Sequence, residues 1–443
     1  MHTKKTFILL LLWSLGLSLP IKANLRDSSN VFSLEKVLIL AKANNTEILK
    51  SLAEVKSAKA DNQQASAAFL PAIELSNSYM SSNDPLYAFG FKLQQQGVTM
   101  ADFDPSVINS PGTTNHFNTQ VLVEQPLVNI DAWMGKSAAN HKVKATELKS
   151  EYTKSHISFI IKQTYYALQL AKNRTSVIKK AHEASEAYLK IASENLNQGY
   201  LKEADVLAIK VRKLELEAQL KESESKEKSV TEMLNFLMGR DIYLPLVVSD
   251  SIEKIPFTYN GIENVNQRAD VVAMQYGLES RKLMQKSSAL KFAPRINAFG
   301  MYNLYDSEFA QFDSQSWMVG LKLQWKIFNG GQNIGKLNKT KAEFTLAELS
   351  YNEYLYKSNM ELSQAKRDIA LRESQLFTYQ MATNQAKESL RIRTNRYEEG
   401  LERTSDLLMA EAKFAESELK YLNAIYNYNV SVFKYDLLSS KTE

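Results

Sequence analysis

After Asp406 the apolar side chains recur at alternating steps of four and three: Leu408, Ala412, Ala415, Leu419, Leu422, Tyr426 and Phe433, with Asn429 the one polar entry. That spacing keeps a single stripe of a helix apolar and predicts a heptad seam against neighbouring helices. A counterpart begins with Leu207, Val211, Leu214 and Ala218, then fades into the charged run KESESKEK, which reads as a solvated face. Elsewhere the period is two. Trp317, Val319, Leu321, Leu323, Trp325 and Ile327 alternate with Met318, Gly320, Lys322, Gln324 and Lys326, which predicts a strand at about 317–328. Weaker alternation predicts strands at about 72–80, 117–126 and 295–304. Each is close to the roughly 9–11 residues that a tilted membrane-spanning strand needs. Tyr79, Phe117, Tyr302, Trp317 and Trp325 near the strand ends suit interfacial girdles.

With only 15 Gly and 9 Pro in 443 residues, the stretches that lack both are long. They run over 32–70, 136–198, 201–238, 336–399 and 401–443, and are rich in Ala, Glu, Lys, Leu, Gln and Ser. Two of them would each span roughly 90 Å or more as helix, which implies coiled-coil, bundle or tubular packing. The elements occur twice. NQGYLKEADVL around Gly199 aligns with EEGLERTSDLL around Gly400 at an offset of 201, so Asp205 and Asp406 both fall six residues after the glycine. Pro126 aligns with Lys326 at an offset of 200, and Pro71 with Pro294 at 223. The excess falls in 81–116, a segment with Pro85, Pro105 and Pro111 that reads as a long surface loop.

The organisation expected is a leader at 1–23, a first repeat at 24–238 with its tip at Gly199, an insertion at 239–266, and a second repeat at 267–443 with its tip at Gly400. Lys4 and Lys5 before the apolar run Phe7 to Leu19, with Ala23 as the cleavage point, give the leader its secretory form. Cysteine is absent, which excludes disulfides and thiol chemistry. Removing Lys4, Lys5 and Lys22 with the leader leaves 51 basic against 49 acidic residues, a net charge of +2 that gives nucleic-acid binding no support. His116, His141, His156 and His182 show no metal-ligand spacing, and Gly330-Gly331 reads as a strand-to-helix turn rather than a phosphate loop. No enzyme chemistry, metal or cofactor is indicated. Four strands cannot close a barrel, and open strand edges are not tolerated in lipid, so several chains must contribute; three copies would give twelve strands and an aqueous lumen.

The leader, the duplicated strand-strand-helix-helix units, the prolines at helix-to-strand switches (Pro71, Pro126, Pro294) and the paired G-x5-D turns together resemble the TolC-like outer membrane efflux family over nearly the whole mature chain. The resemblance implies a mixed α and β membrane protein: a homotrimer with a 12-stranded outer-membrane barrel, four strands per chain, continued by an α-helical coiled-coil barrel across the periplasm. It implies an equatorial region that includes 239–266, an export duct in a tripartite efflux or type I secretion system, and partners in outer-membrane lipid, a periplasmic adaptor (membrane fusion) protein and an inner-membrane pump of RND, ABC or similar type. On that basis Gly199, Tyr200, Leu201, Gly400, Leu401 and Glu402 are adaptor-docking tips. Asp406 matches an aspartate ring that narrows the pore, Tyr397 a latch tyrosine, Asp205 its aspartate partner and Arg403 the latch arginine, displaced by one position. Met409 stands where the family has a second aspartate. The rival reading is a secreted coiled-coil scaffold or adhesin whose strands form a soluble cap.

Overall fold

The computed structural model describes residues 31–249, 251–259 and 264–439, so the expected leader at 1–23 lies outside the described residues. β1 (Val31–Phe32) is followed by α1 (Leu34–Asn44) and α2 (Thr46–Ser66). The single long element expected over 32–70 is therefore broken at Asn45. Its side-chain oxygen accepts from Glu47 N and Ile48 N, while Nδ2 donates to Leu237 O at 2.8 Å. A buried asparagine that caps one helix and satisfies the carbonyl end of another stops a helix without glycine or proline.

A 3-10 turn at 67–69 and Pro71 deliver the chain into β2 (Ala72–Ser82). The following segment is not the irregular loop expected over 81–116. It holds α3 (Pro85–Gln94), a 3-10 turn at 100–103 and α4 (Pro105–Asn109). Asp84 and Asp104 cap the two helices, and Pro85 and Pro105 occupy the first helical position, where a missing N–H costs nothing. Proline here starts helices rather than interrupting them.

β3 (Thr114–Val128) leads into α5 (Ile130–Asn197) and α6 (Glu203–Leu237). After β4 (Val247–Val248) come α7 (Ala269–Leu290), β5 (Arg295–Asp306), β6 (Ser314–Gln324), α8 (Gln332–Glu398) and α9 (Thr404–Ser439). Pro71 and Pro294 sit directly before β2 and β5. Pro126 does not mark a switch: it lies inside β3, at a register shift against β5. β6 ends at Gln324 and not at the expected 328, because its partner β5 begins at Arg295 and offers nothing to residues beyond.

The strands form one antiparallel sheet in the order β2-β3-β5-β6, with β2 and β6 as its edges. α5 and α8, of 68 and 67 residues, run away from it for roughly 100 Å and return as α6 and α9. No described helix is long and apolar enough to cross a membrane.

Midway along the helices, β1 pairs in parallel with β4, and the segment after β4 runs along the helical wall. Gln169 Nε2 donates to Ser249 O at 3.2 Å and Oγ at 2.8 Å; Asn429 Nδ2 donates to Glu253 O at 2.8 Å and its oxygen accepts from Ile255 N at 3.0 Å. Asn429, the polar entry in the seam, is thus a strap for this segment. Apolar cores flank it, one around Val37, Ile161, Leu168 and Val248, the other around Leu362, Ile369, Tyr428 and Val432.

The expected seam on α6 is rotated relative to the buried stripe, whereas the seam on α9 runs into the buried Asn429 and Phe433. Val206, Ile209 and Leu216 are buried, whereas Leu207, Val211 and Leu214 are exposed. α6 and α8 carry exposed apolar side chains besides their buried ones, among them Val211 on α6 and Leu346, Leu349 and Phe377 on α8.

Three helix ends close on left-handed glycines. Gly199 N donates to Leu196 O and Tyr200 N to Asn195 O; Gly400 and Leu401 repeat this with Tyr397 and Arg396, and Gly239 and Arg240 with Phe236 and Asn235. All three are Schellman closures. Their surroundings differ: a Cβ at Gly199 or Gly400 meets open space, whereas one at Gly239 would lie 2.6 Å from Asn44 O. Gly239→Ala should therefore cost about 2–4 kcal/mol, against about 1–2 for Gly199→Ala, since only the former adds a backbone clash to the left-handed penalty. Thermal unfolding of the two variants side by side measures this.

Candidate functional site

The pleat and register sort the sheet residues onto two faces. One face carries the rungs Leu75–Val121–Tyr302–Trp317 and Ile73–Val123–Gly300–Val319, and continues through Leu321 and Leu323. Its edge-strand side chains are exposed despite being apolar. The other face carries Ser76–Gln120–Asn303–Ser316 and Ser78–Asn118–Tyr305–Ser314, with Glu74, Glu124 and Lys322 nearer the helices. Gln120 Nε2 donates to Asn303 Oδ1 across it at 2.9 Å. Aromatics border the apolar face at both ends: Tyr79 with Phe117 at one, and Trp325, whose indole N–H donates to Phe292 O at 2.9 Å, at the other. The rung Asn77–Thr119–Leu304–Gln315 separates this apolar band from Tyr79 and Phe117, and Leu122, Met301 and Met318 interrupt the polar face. A mainly apolar band backed by a mainly polar face is the pattern of a membrane strand with lipid on one side and water on the other.

At the sheet end remote from the long helices, α3 folds over the polar face. Phe91 stacks on His116 with ring centroids 4.3 Å apart, and Gln95 Nε2 donates to Asn115 O at 2.7 Å and Asp306 O at 3.1 Å.

The opposite end of the molecule is formed by the two helical tips. Tyr188 and Ala192 from α5, Val206 and Ile209 from α6, Tyr397 from α8 and Leu407 from α9 share one small core. Tyr397 is packed edge-on against Tyr188, with centroids 6.3 Å apart. Burial pushes its hydroxyl above the usual tyrosine range; the Thr404 hydroxyl opposes the shift and the Asp205 carboxylate adds to it. The hydroxyls of Tyr397 and Thr404 are both buried, and neither completes a hydrogen bond of ordinary geometry. The Asp205 carboxylate is close enough to act on Tyr397 through its charge, but no hydrogen bond joins them.

Asp205 and Asp406 are half-exposed on the first turns of α6 and α9, where a carboxylate suits the helix dipole. Neither side chain forms a hydrogen bond or ion pair among the described residues. Met409 is exposed one turn after Asp406.

Arg403 has no latch partner among the described residues of its own chain. Its side chain is exposed, without hydrogen bond or ion pair among the described residues, and only its carbonyl acts, accepting from Asp406 N and Leu407 N at 3.1 Å. Arg393 at 2.7 Å and Arg396 at 2.9 Å hold Glu402 within its own hairpin. Gly199, Gly400, Tyr200 and Leu401 are exposed at the tips, the last two at 78% and 64%, while Leu201 is partly buried against the tip core.

The charge that joins the hairpins is one that sequence reasoning missed. Arg212 on α6 meets Glu411 on α9, with Nε and NH2 within 3.0 and 2.9 Å of Oε2, and the Glu411 side chain is only 5% exposed. Burial raises the Glu411 carboxyl above the usual range, with Arg212 opposing the shift. No motif marks this pair: Arg212 stands in a charged stretch, and Glu411 falls one residue beside the seam position Ala412.

Among the described residues no cluster of His, Asp and Glu is arranged to hold a metal ion. Nucleophile–base pairs are likewise absent from the sites described above.

A sequence profile of the family described as Outer membrane efflux protein matches residues 37–240 and 264–432. Outer membrane protein OprJ of Pseudomonas aeruginosa is 25% identical over 166 residues, and that match spans 36% of this chain and only 34% of OprJ. Among solved structures, VceC from Vibrio cholerae superposes with a TM-score of 0.77 at 17% identity, covering 93% of this chain and 97% of that one. The CmeC channel of Campylobacter jejuni gives 0.78 at 18%, covering 91% and 85%, and CusC gives 0.79 at 16%, covering 92% of each. At such identities the shared fold is what these structures establish.

Proposed function

The chain belongs to the outer membrane efflux protein family, and from that premise we propose that three copies form the outer-membrane duct of a tripartite export machine. One observation carries the reading: a sheet with an apolar face, a polar face and two unpaired edges is mounted on helices roughly 100 Å long. In lipid those edges must be paired. Three sheets joined edge to edge give a 12-stranded barrel with lipid outside and water inside. The exposed stripe Leu207, Val211 and Leu214 on α6 then meets the neighbouring copy, completing a tube through the periplasm. The insertion at 239–266, tied to the helical wall at Ser249, Glu253 and Ile255, belongs to an equatorial belt.

The tips close and dock the duct. Exposed Tyr200 and Leu401, on turns held rigid by their glycines, suit an apolar contact with a periplasmic adaptor, which couples the duct to an inner-membrane pump of RND, ABC or similar type. Three copies of Asp406 around a narrow axis attract cations, while Tyr397 and Asp205 pack the closed tip. Solutes pass without covalent chemistry, and cargo choice rests with pump and adaptor.

Single-channel recording in planar bilayers tests this. Protein extracted from outer membranes should conduct with cation preference, and Asp406→Ala should shift the reversal potential in a salt gradient toward non-selectivity. A soluble, non-conducting protein would sink the duct and favour the scaffold reading. Unchanged selectivity would remove Asp406 from the constriction.

A further inference from the structure

The two edges of the sheet are related by the internal repeat, and the repeat fixes how they meet in a trimer. β2 and β3 pair from Ala72↔Glu124 to Ser82↔Thr114. Adding 223 to each β2 number and 200 to each β3 number reproduces the β5–β6 ladder from Arg295↔Gln324 to Tyr305↔Ser314 without a single slip. These offsets are the ones that align Pro71 with Pro294 and Pro126 with Lys326 in the sequence. β5 is thus the second-half copy of β2, and β6 of β3. The remaining ladder within the chain, β3 with β5, joins the end of the first half to the start of the second. Its counterpart is the seam where β6 of one chain meets β2 of the next.

We propose that β6 pairs with β2 of a second copy of this chain in the register transferred from β3–β5, which sets Lys326 opposite Glu74, Gln324 opposite Ser76 and Trp325 opposite Leu75. This rests on the trimeric reading above. Applying the same offsets to Pro126↔Asn297, Glu124↔Phe299 and Gln125↔Ala298 gives these three pairs. Their chemistry agrees with the faces. Glu74 and Lys326, both exposed in the single chain, become an opposite-charge pair on the polar face, and Leu75 and Trp325 an aromatic–aliphatic pair on the apolar one. Directly opposed residues bring their Cβ atoms to about 4.5–5.5 Å.

The register also explains why alternation continues through Ile327 although β6 ends at Gln324. In the first half, Pro126 and Val128 are paired by β5 alone, beyond the reach of β2. Their equivalents Lys326 and Phe328 await the β2 of a neighbour. The four residues from Trp325 to Phe328 are strand held in reserve for the subunit seam.

Because the native chain has no cysteine, disulfide trapping reads the register directly. A disulfide needs Cα atoms about 4.4–6.8 Å apart, which directly opposed strand residues meet and residues displaced by two along a strand exceed. Full-length protein carrying Ser76→Cys with Gln324→Cys, oxidised in outer membranes, should give a covalent trimer on non-reducing gels, several-fold above Ser76→Cys with Lys322→Cys. Glu74→Lys should lower the trimer fraction, and Glu74→Lys with Lys326→Glu should restore it. A shifted pair that cross-links as well or better overturns the register while leaving the trimer intact. No cross-link from any pair, with a native mass of one chain, overturns the trimer and the register with it.

Discussion

Arg212→Ala should leave the tip ajar: higher conductance in bilayers, and lower thermal stability. Removing the guanidinium strands a Glu411 carboxylate that is nearly fully buried and whose Oε1 already lacks a partner. Breaking one member out of a buried pair costs about 3–5 kcal/mol. Here much of that penalty can be relieved by letting α6 and α9 part, so that water reaches Glu411. Replacing the pair together, as Arg212→Met with Glu411→Leu, removes the unpaired charge; stability should then return to the parental value or above, while the directional link between hairpins does not. Conductance and melting temperature measured on both variants separate the two effects. Stability lost in the single variant but restored in the double, with conductance raised in both, assigns the pair to closure. Parental conductance in both variants would reduce it to packing.

The same pair carries a pH dependence. Since the folded-state pKa of Glu411 is raised by burial, protonation is favoured in the folded chain. Its contribution to stability is present below the unfolded-state pKa and is lost as pH rises through the folded value. At neutral pH the ionised carboxylate is a cost that Arg212 offsets. Acidification therefore stabilises the fold at this site yet neutralises the link. Open probability should rise on acidification, beginning at a pH above the ordinary glutamate range, and Glu411→Gln should be open-prone and insensitive over that window.

The second large effect is expected at Asn429. It is fully buried, and its amide holds both Glu253 O and Ile255 N. Asn429→Ala leaves two backbone groups without partners at about 1–3 kcal/mol each, a loss of about 2–6 kcal/mol. Its signature is local: amide exchange should accelerate over residues 251–257 before it changes in α8 or α9. Uniform acceleration along the helices would show instead that Asn429 serves the core at large.

Asn429 also shows where a sequence stops being legible. Period and duplication exposed the strands, the long helices and both tip glycines, because those features repeat along one chain and obey local geometry. The strap partners of Asn429 lie on a segment with no period, so the residue read only as an interruption of the seam. Arg212 and Glu411 lie about 200 positions apart, and nothing local distinguishes them from solvated charges. The helices of 85–109 were hidden by their prolines, which stop a helix in the interior but begin one after an aspartate cap. Arg403 and Glu402 were assigned by position relative to Gly400. The Schellman turn fixes that backbone yet leaves the first side chain in solvent and folds the second onto Arg393 and Arg396.

β6 stops short of its alternating pattern for the opposite reason. In the trimer proposed above, alternation through Ile327 is written in one chain and satisfied by another, as are the exposed Leu207, Val211 and Leu214. A single chain displays them as unfinished edges.

In the proposed duct, three chains complete each other's sheet and helical wall. Native mass measurement of the protein released from outer membranes in detergent tests it most directly. One species with the mass of three chains, stable until denatured, is the expected result. A monomer or dimer that is folded and membrane-inserted would contradict it.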